Sequence, residues 1–440
     1  MEWLTTINEW LWGPASCAVF MMVGVYVTYR NRFFQFFHVK KWLFGTVRSL
    51  CKRDRADEQA GFNAMQSLST ALAATLGTGN IVGVATAMVS GGPGAVFWMW
   101  VAAIFGMMTK YAEVLLSMHF RKKGQYRSGP MYVLEYGLNN KPLAVAYAFF
   151  CLVASFGIGN MSQGNSIAQA FEDSFRVPPM VTGLVITVLA GAVLIGGVKR
   201  IGQVTEKLIP FMAGFYLLFS GIVLVLQYRA IPAAFGAIFK GAFAFEAVGG
   251  GALGYTAMQA MRYGVARGIF TNEAGLGTSS IAHAQAQETQ PVKQAMMGIF
   301  EVFVDTIVVC TVTALVILVT GVLGNGKDGA ALTISAFSYN LGRFSRPFIC
   351  VSIALFAFAS ILSWCLYGER CAEYLWGSMA AKGYRLVYIA AIMLGCVLSM
   401  DAVWNLCDIF NALMAIPNLT GVVAKAGLVR KMTKEYLRRS

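Results

Sequence analysis

Charge is what this sequence has least of. Asp, Glu, Lys and Arg make up 13% of its 440 residues, about half the share of a soluble globular domain. A soluble enzyme and a disordered chain are excluded on that ground. Histidine is nearly absent, with copies only at 38, 119 and 283, so no paired nucleophile and base and no metal cluster of an intramembrane enzyme is expected. The nine cysteines scatter from Cys17 to Cys407 without a C-x-x-C pair, which argues against a disulfide framework and a structural zinc site. A basic leader is lacking too: Glu2 and Glu9 stand where a cleavable signal peptide would carry positive charge.

What fills the chain is apolar. Hydrophobic residues reach 57%, with a mean hydropathy of +0.61, and they come in blocks long enough to cross a bilayer. Eleven spans are expected, near 13–32, 63–90, 94–118, 142–170, 179–198, 202–227, 237–261, 295–323, 347–367, 384–399 and 402–424. The net charge of +14 does not indicate a nucleic-acid partner, because Lys and Arg lie between apolar blocks rather than on one folded face. Twenty-seven of the 35 Lys and Arg fall on one side of this topology and six on the other. Positive charge stays in the cytoplasm, so the N-terminus is expected outside and the C-terminus inside.

Two spans cannot be ordinary helices. The second carries Thr75-Leu-Gly-Thr-Gly-Asn80, placing Gly77 and Gly79 around Thr78 at mid-membrane, where each glycine costs a helix about 1 kcal/mol against alanine. Unwound backbone is tolerated in a membrane only where protein or a cavity surrounds it. It offers carbonyls to a cation and N–H groups to a carboxylate. Close helix packing would also explain the glycines, but not the adjacent Thr75, Thr78 and Asn80. In span seven the run Gly249-Gly-Gly-Ala-Leu-Gly254 reads as a second break. With span one set aside, spans two to six and seven to eleven form two groups of five, each opening with an interrupted helix. That pattern points to an inverted repeat around a central site.

Other polar residues inside spans are candidates by default. Asp305 has Glu301 one turn before it and Thr306 beside it; it is either a coupling-ion site or a buried acid satisfied by backbone or threonine hydroxyls. Lys110 and Glu113 are three apart, a helical neighbour pair of structural or gating use. Residues 262–290 read as a helix lying on the inner surface. Gly275 and Gly277 there come with no Walker lysine, and without an ATPase domain any uphill transport must draw on an ion gradient.

At these residues the chain resembles the alanine or glycine:cation symporter family. The run Gly91-Gly-Pro-Gly-Ala-Val-Phe-Trp-Met-Trp-Val-Ala-Ala-Ile-Phe-Gly106 is similar to the family signature over its whole length. Thr75–Ile81, Gly129-Pro-Met-Tyr-Val-Leu-Glu135, Asn160-Met-Ser-Gln-Gly-Asn165, Asn272-Glu-Ala-Gly-Leu-Gly277 and Asp305-Thr306 resemble further family blocks. The resemblance implies an all-α polytopic membrane protein of leucine-transporter type, a 5+5 inverted repeat with one peripheral N-terminal helix. The divisions expected are 1–62 (peripheral helix and basic loop), 63–228 and 229–424 (the two repeats) and 425–440 (basic tail).

By position, the resemblance implies that Thr78 and Gly79 hold a substrate carboxylate. Gln163 and Trp364 line the pocket, and Gly250 and Gly251 close it. Thr75 and Asn80 stand near one cation; Ala73 and Leu76 offer carbonyls to a sodium completed by span nine at Ala359 and Ser360. Lys110, Glu113, Asp305, Asn272 and Glu273 are gate or coupling candidates. Three departures from the family pattern stand out: Ala359 in place of a serine, Ser363 in place of the glycine before Trp364, and Ala266 in place of a lysine. The implied activity is sodium-coupled uptake of alanine or glycine across the plasma membrane, with the lipid bilayer and the amino acid as partners. A proton-coupled symporter and a passive channel are the rivals.

Overall fold

The computed structural model describes residues 6–7, 10–51, 61–121, 127–243, 252–398 and 401–439. It is helical throughout, with one isolated parallel bridge between Phe62 and Ala286 among the described residues. The helices are α1 (Pro14–Arg30), α2 (Ala64–Thr75), α3 (Val82–Gly91), α4 (Gly94–His119), α5 (Lys141–Phe156) and α6 (Ser162–Phe175). They continue with α7 (Pro179–Leu194), α8 (Gly197–Leu226), α9 (Ile231–Ala242), α10 (Ala252–Asn272), α11 (Thr278–His283) and α12 (Pro291–Val302). The last six are α13 (Thr311–Val319), α14 (Gly329–Leu341), α15 (Ser345–Trp376), α16 (Ser378–Val397), α17 (Asp401–Ala424) and α18 (Ala426–Arg439).

By length and composition six helices among the described residues can cross a membrane, or seven if the pair bent by 55° at 408–439 is one span. Eleven spans were expected, and the difference lies in short helices. The span at 63–90 is two helices of 12 and 10 residues, and α7 has 16. The expected span at 237–261 is not one helix: α9 ends at Ala242 and α10 starts at Ala252. The expected outer loop before span nine contains α14, which Asp328 caps by accepting the Gly329 N–H at 2.5 Å.

Burial sorts the helices. The apolar window of α4 is 83% buried, whereas those of α8 and α16 are 28% and 39% buried. The exposed side chains on the outer helices are Leu184, Val188, Phe211, Leu218, Leu386 and Leu394, which suit lipid rather than water. Helix α4 is the central post, packed by α10, α12, α1 and α9. Contact is close because side chains are missing: a Cβ on Gly94 would overlap the Gly241 backbone, and one on Gly264 would overlap Ala95. Among the described residues, π-helical segments cover Lys40–Phe44, Val133–Gly137, Gly157–Met161 and Phe303–Cys310. Such bulges recur at functional sites, and the last of them bears Asp305.

Candidate functional site

The first break starts where a well-made helix stops. Asn63 caps α2 by accepting the Gln66 N–H at 2.7 Å while Gln66 returns the bond to Asn63. After Thr75 the chain leaves the helix: Leu76 and Gly77 are non-helical, and Thr78–Asn80 form a single 3-10 turn. Asn80 and Ile81 donate back to the Gly77 and Thr78 carbonyls. The leading N–H groups of such a turn, here Thr78 and Gly79, have no acceptor within it.

Each residue of the break meets a different neighbour. The Thr78 hydroxyl donates to Gln163 Oε1 at 3.3 Å, and Gln163 Nε2 donates to the Ile158 carbonyl of the π-segment at 3.0 Å. A Cβ on Gly79 would press on the Thr271 methyl at 2.8 Å, and one on Gly159 would overlap the Trp364 side chain. Trp364 is buried. Thus Thr78, Gly79, Gln163 and Trp364 are brought together. Gly250 and Gly251 lie outside the described residues.

The cation candidates divide. Ser360 donates to the Ala73 carbonyl at 3.1 Å, which places a hydroxyl and a carbonyl oxygen side by side at the end of α2. Ala359 is buried next to it and contributes no oxygen from its side chain. Thr75 turns its hydroxyl back to the Ala71 and Leu72 carbonyls at 3.5 and 3.4 Å, as threonines in helices do. Leu76 ends α2 with ψ at 79°, which turns its carbonyl out of the helical direction. Hard cations take oxygen ligands of this kind.

Asn80 joins the first break to the second. Its Oδ1 accepts the Gly77 N–H at 3.0 Å, and its Nδ2 donates to Asp305 Oδ1 at 2.7 Å. Asp305 Oδ2 accepts from Thr306 at 2.7 Å, and the Thr306 hydroxyl accepts from Asn272 Nδ2 at 3.2 Å. Asn272 Oδ1 in turn accepts the Ala274 N–H at 3.0 Å. Asp305 is therefore satisfied by an asparagine and a threonine hydroxyl, and the same bonds tie it to both interrupted helices.

That second break is at 273–277; of the break expected at Gly249–Gly254, residues 249–251 lie outside the described residues, and Gly254 belongs to α10. The helix stops at Asn272 and resumes at Thr278 after Glu273, Gly275 and Gly277 take φ of 55°, 99° and 79°. Left-handed backbone costs a residue with a side chain roughly 1–2 kcal/mol. Glu273 Oε2 accepts the Thr278 and Ser279 hydroxyls at 2.6 and 3.4 Å, which holds it there. The stretch 262–290 is accordingly no surface helix. Thr271, Asn272, Glu273, Thr278, Ser279, Ser280 and His283 are all buried.

Lys110 and Glu113 do not pair with each other. Lys110 Nζ reaches Glu301 Oε1 at 3.3 Å and Ser279 Oγ at 2.5 Å. Glu113 Oε1 accepts the Gly275 N–H at 2.8 Å and Asn418 Nδ2 at 2.6 Å, while Asn418 also donates to the Gly275 carbonyl at 2.8 Å. Their separation of three residues puts them on one face of α4, and that face happens to meet two different elements. Ser279, His283, Gln294 and Asn418 are members of this network that the sequence reading did not single out. They come from α11, α12 and α17, and nothing local in the chain connects them.

A cavity of about 740 Å³ opens beyond the first break, lined by Val82, Gln169, Asp173, Arg176, Lys327 and Arg346 among others. At the opposite end the start of α2 is closed: Phe62 exchanges backbone bonds of 2.8 and 2.9 Å with Gln285 and Gln287.

The sequence profile of the sodium:alanine symporter family matches residues 1–440. An uncharacterized transporter of Haemophilus influenzae is 42% identical over 99% of this chain and 96% of its own. The sodium/alanine symporter AgcS of Methanococcus maripaludis is 41% identical, covering 98% of this chain and 96% of its own. Among solved structures, that of MhsT in complex with L-phenylalanine superposes with a TM-score of 0.61 over 83% of this chain and 89% of its own, at 13% identity. That last likeness is one of fold alone. The coverage and identity place the chain in the sodium:alanine symporter family, as a multi-pass secondary transporter of the plasma membrane and not an enzyme.

Proposed function

We propose that the protein is a sodium-coupled symporter that takes up a small neutral amino acid, alanine or glycine, by alternating access. One observation carries this reading: Asn80 bonds within the Gly77–Asn80 break and to Asp305, and Thr306 and Asn272 extend the chain to the break at 273–277. A solute between the breaks is met by the N–H groups of Thr78 and Gly79 at its carboxylate. Gln163 and free carbonyls face its ammonium. Side-chain room is small, because Gly79 already touches Thr271 and Gly159 touches Trp364. Sodium, a transported ion, is held by Ala73, Leu76 and Ser360 on one side and by Thr75 and Asn80 near the solute. The two groups of five helices, 63–228 and 229–424, then rock around the site, with the N-terminus outside and the C-terminus inside.

The similarity to a sodium/alanine symporter supports both solute and ion. The test is radiolabelled alanine and glycine uptake into proteoliposomes with and without an inward sodium gradient. Accumulation is expected only with sodium, and Asn80→Ala is expected to abolish it while the protein stays folded. Full transport by Asn80→Ala would refute the broken-helix site. Asp305 favours one second reading, since a fully buried carboxylate that bonds only neutral donors also suits a proton. Uptake that survives sodium removal and follows pH would establish proton coupling instead.

A further inference from the structure

A groove of about 640 Å³ runs between α1 and α17. Val19, Ile416 and Val423 form its exposed walls, and Phe20, Val23 and Leu419 lie deeper. The two helices run side by side in register. Trp12 Nε1 donates to the Asp408 carbonyl at 3.1 Å near one end, and Arg30 Nη2 stands 3.6 Å from where a Cβ on Gly427 would lie at the other. On α17 the lining runs from Ala412 to Ala424, a rise of about 18 Å, close to one hydrocarbon leaflet of about 15 Å. Thr420 spends its hydroxyl on the Ile416 carbonyl at 2.8 Å, so that wall offers an occupant little but hydrocarbon. A lipid acyl chain fits this length and this chemistry.

The two ends of the groove differ in charge. Trp10 and Leu11 stand at the end near Asp408. At the other end Arg30 closes α1. Its guanidinium lies over the Tyr26 ring at 5.9 Å, its Nε is buried without a hydrogen-bond partner, and among the described residues no carboxylate pairs with it. Beyond Gly427, beside which Arg30 lies, α18 carries Arg430, Lys431, Lys434 and Arg438, all exposed and spaced to share one face. Glu435 is the one acid of that helix. Ala426, Val429 and Thr433 are its buried side, where Thr433 bonds Tyr111 of α4 at 2.8 Å, so the basic face is turned outward. Basic helices directly following a span attract anionic headgroups. A second copy packed here about an axis along the membrane normal would set its own Arg30 and basic face at the same depth, like charge against like.

The floor of the groove is the back of the second break. A Cβ on Gly275 would meet the Phe20 ring at 2.6 Å and Leu419 at 3.3 Å, and Asn418, next to Leu419, donates to the Gly275 carbonyl at 2.8 Å. We propose that one anionic phospholipid of the inner leaflet occupies the groove, its phosphate paired with Arg30 and its acyl chain laid along Phe20 and Leu419. The chain fills the space behind these two side chains and keeps them against Gly275. The break is then held in one shape before the solute arrives, and a preorganised site binds more tightly. The effect on uptake rests on the symport reading; the lipid site does not.

Two measurements on the full-length carrier test it. The first is native mass spectrometry of delipidated protein in detergent, with dioleoyl phosphatidylglycerol or dioleoyl phosphatidylcholine as the probe. One phosphatidylglycerol is expected to be retained, about fivefold more tightly than phosphatidylcholine. R30Q is expected to remove that preference, and S16F, which fills the groove from α1, to weaken both lipids. R438Q removes the same charge about three turns along α18 and is expected to keep the preference. An unchanged preference in R30Q, or an equal loss in R438Q, overturns the site, and so does a dimer that S16F disrupts with no lipid retained. S16F keeps the test open should R30Q fail to fold. The second is alanine uptake into phosphatidylcholine proteoliposomes with and without phosphatidylglycerol. The half-saturating alanine concentration is expected to be about fivefold lower with phosphatidylglycerol for the wild type, and independent of the lipid for R30Q and S16F. A lipid response that both variants share with the wild type overturns the coupling to the break. Retained lipid without alanine uptake in either membrane upholds the site and refutes the symport reading.

Discussion

At the proposed cation site, single side chains set how many oxygen donors are present. Ser360 presents its hydroxyl to the Ala73 carbonyl at 3.1 Å, while the neighbouring Ala359 presents a methyl group. One oxygen donor contributes about 1 kcal/mol, near fivefold in affinity. Ser360→Ala is therefore expected to raise the sodium concentration for half-maximal uptake by about fivefold, and Ala359→Ser to lower it. Equal sodium dependence in all three proteins would remove Ser360 from the cation site. Ser360 and Trp364 were legible as candidates in the sequence because the family pattern marks them. Why Gly159 must be glycine was not, since its reason is a tryptophan some two hundred residues further along the chain.

At the scale of elements, one helix ties its neighbours together. Helix α4 offers Lys110 to Glu301 and Ser279 while Glu113 grips Gly275, so one helical face holds α12 and both sides of the second break. Removing one partner of a buried ion pair leaves the other charge uncompensated, at a cost of about 3–5 kcal/mol. Lys110→Met is expected to lower thermal stability in detergent accordingly, whereas the double change Lys110→Met with Glu301→Gln recovers part of the loss. An unchanged melting temperature for Lys110→Met would show that the pair does not hold the helices together. The first break was readable because Gly77 and Gly79 sit inside a helical pattern that Asn63 and Gln66 had started. The break at 273–277 was not readable: a left-handed Glu273 supported by Thr278 and Ser279 ends α10 there, and no composition rule anticipates a glutamate in that role.

At the scale of the whole molecule, the distribution of Lys and Arg predicts an orientation, N-terminus outside and C-terminus inside. Cys17, Cys151, Cys310, Cys350, Cys365, Cys371 and Cys396 are buried, so with Cys51 and Cys407 replaced by serine, new surface cysteines report topology. Asn325→Cys, in the exposed turn before α14, is expected to react with a membrane-impermeant maleimide on intact cells, and Glu435→Cys, exposed on α18, only after permeabilisation. The opposite pattern would reverse the orientation. The sequence by itself determined that the chain lives in a membrane, where its first helix breaks, and which family it joins. These depend on composition and on residues adjacent along the chain. Tertiary structure alone decided the partners of Lys110 and Glu113, the link from Asn80 through Asp305 to Asn272, and the burial of His283. These depend on residues brought together from distant parts of the chain, as with Asn80 and Asp305, 225 residues apart. Buried polar groups must find partners wherever packing supplies them, and packing is a property of the folded chain.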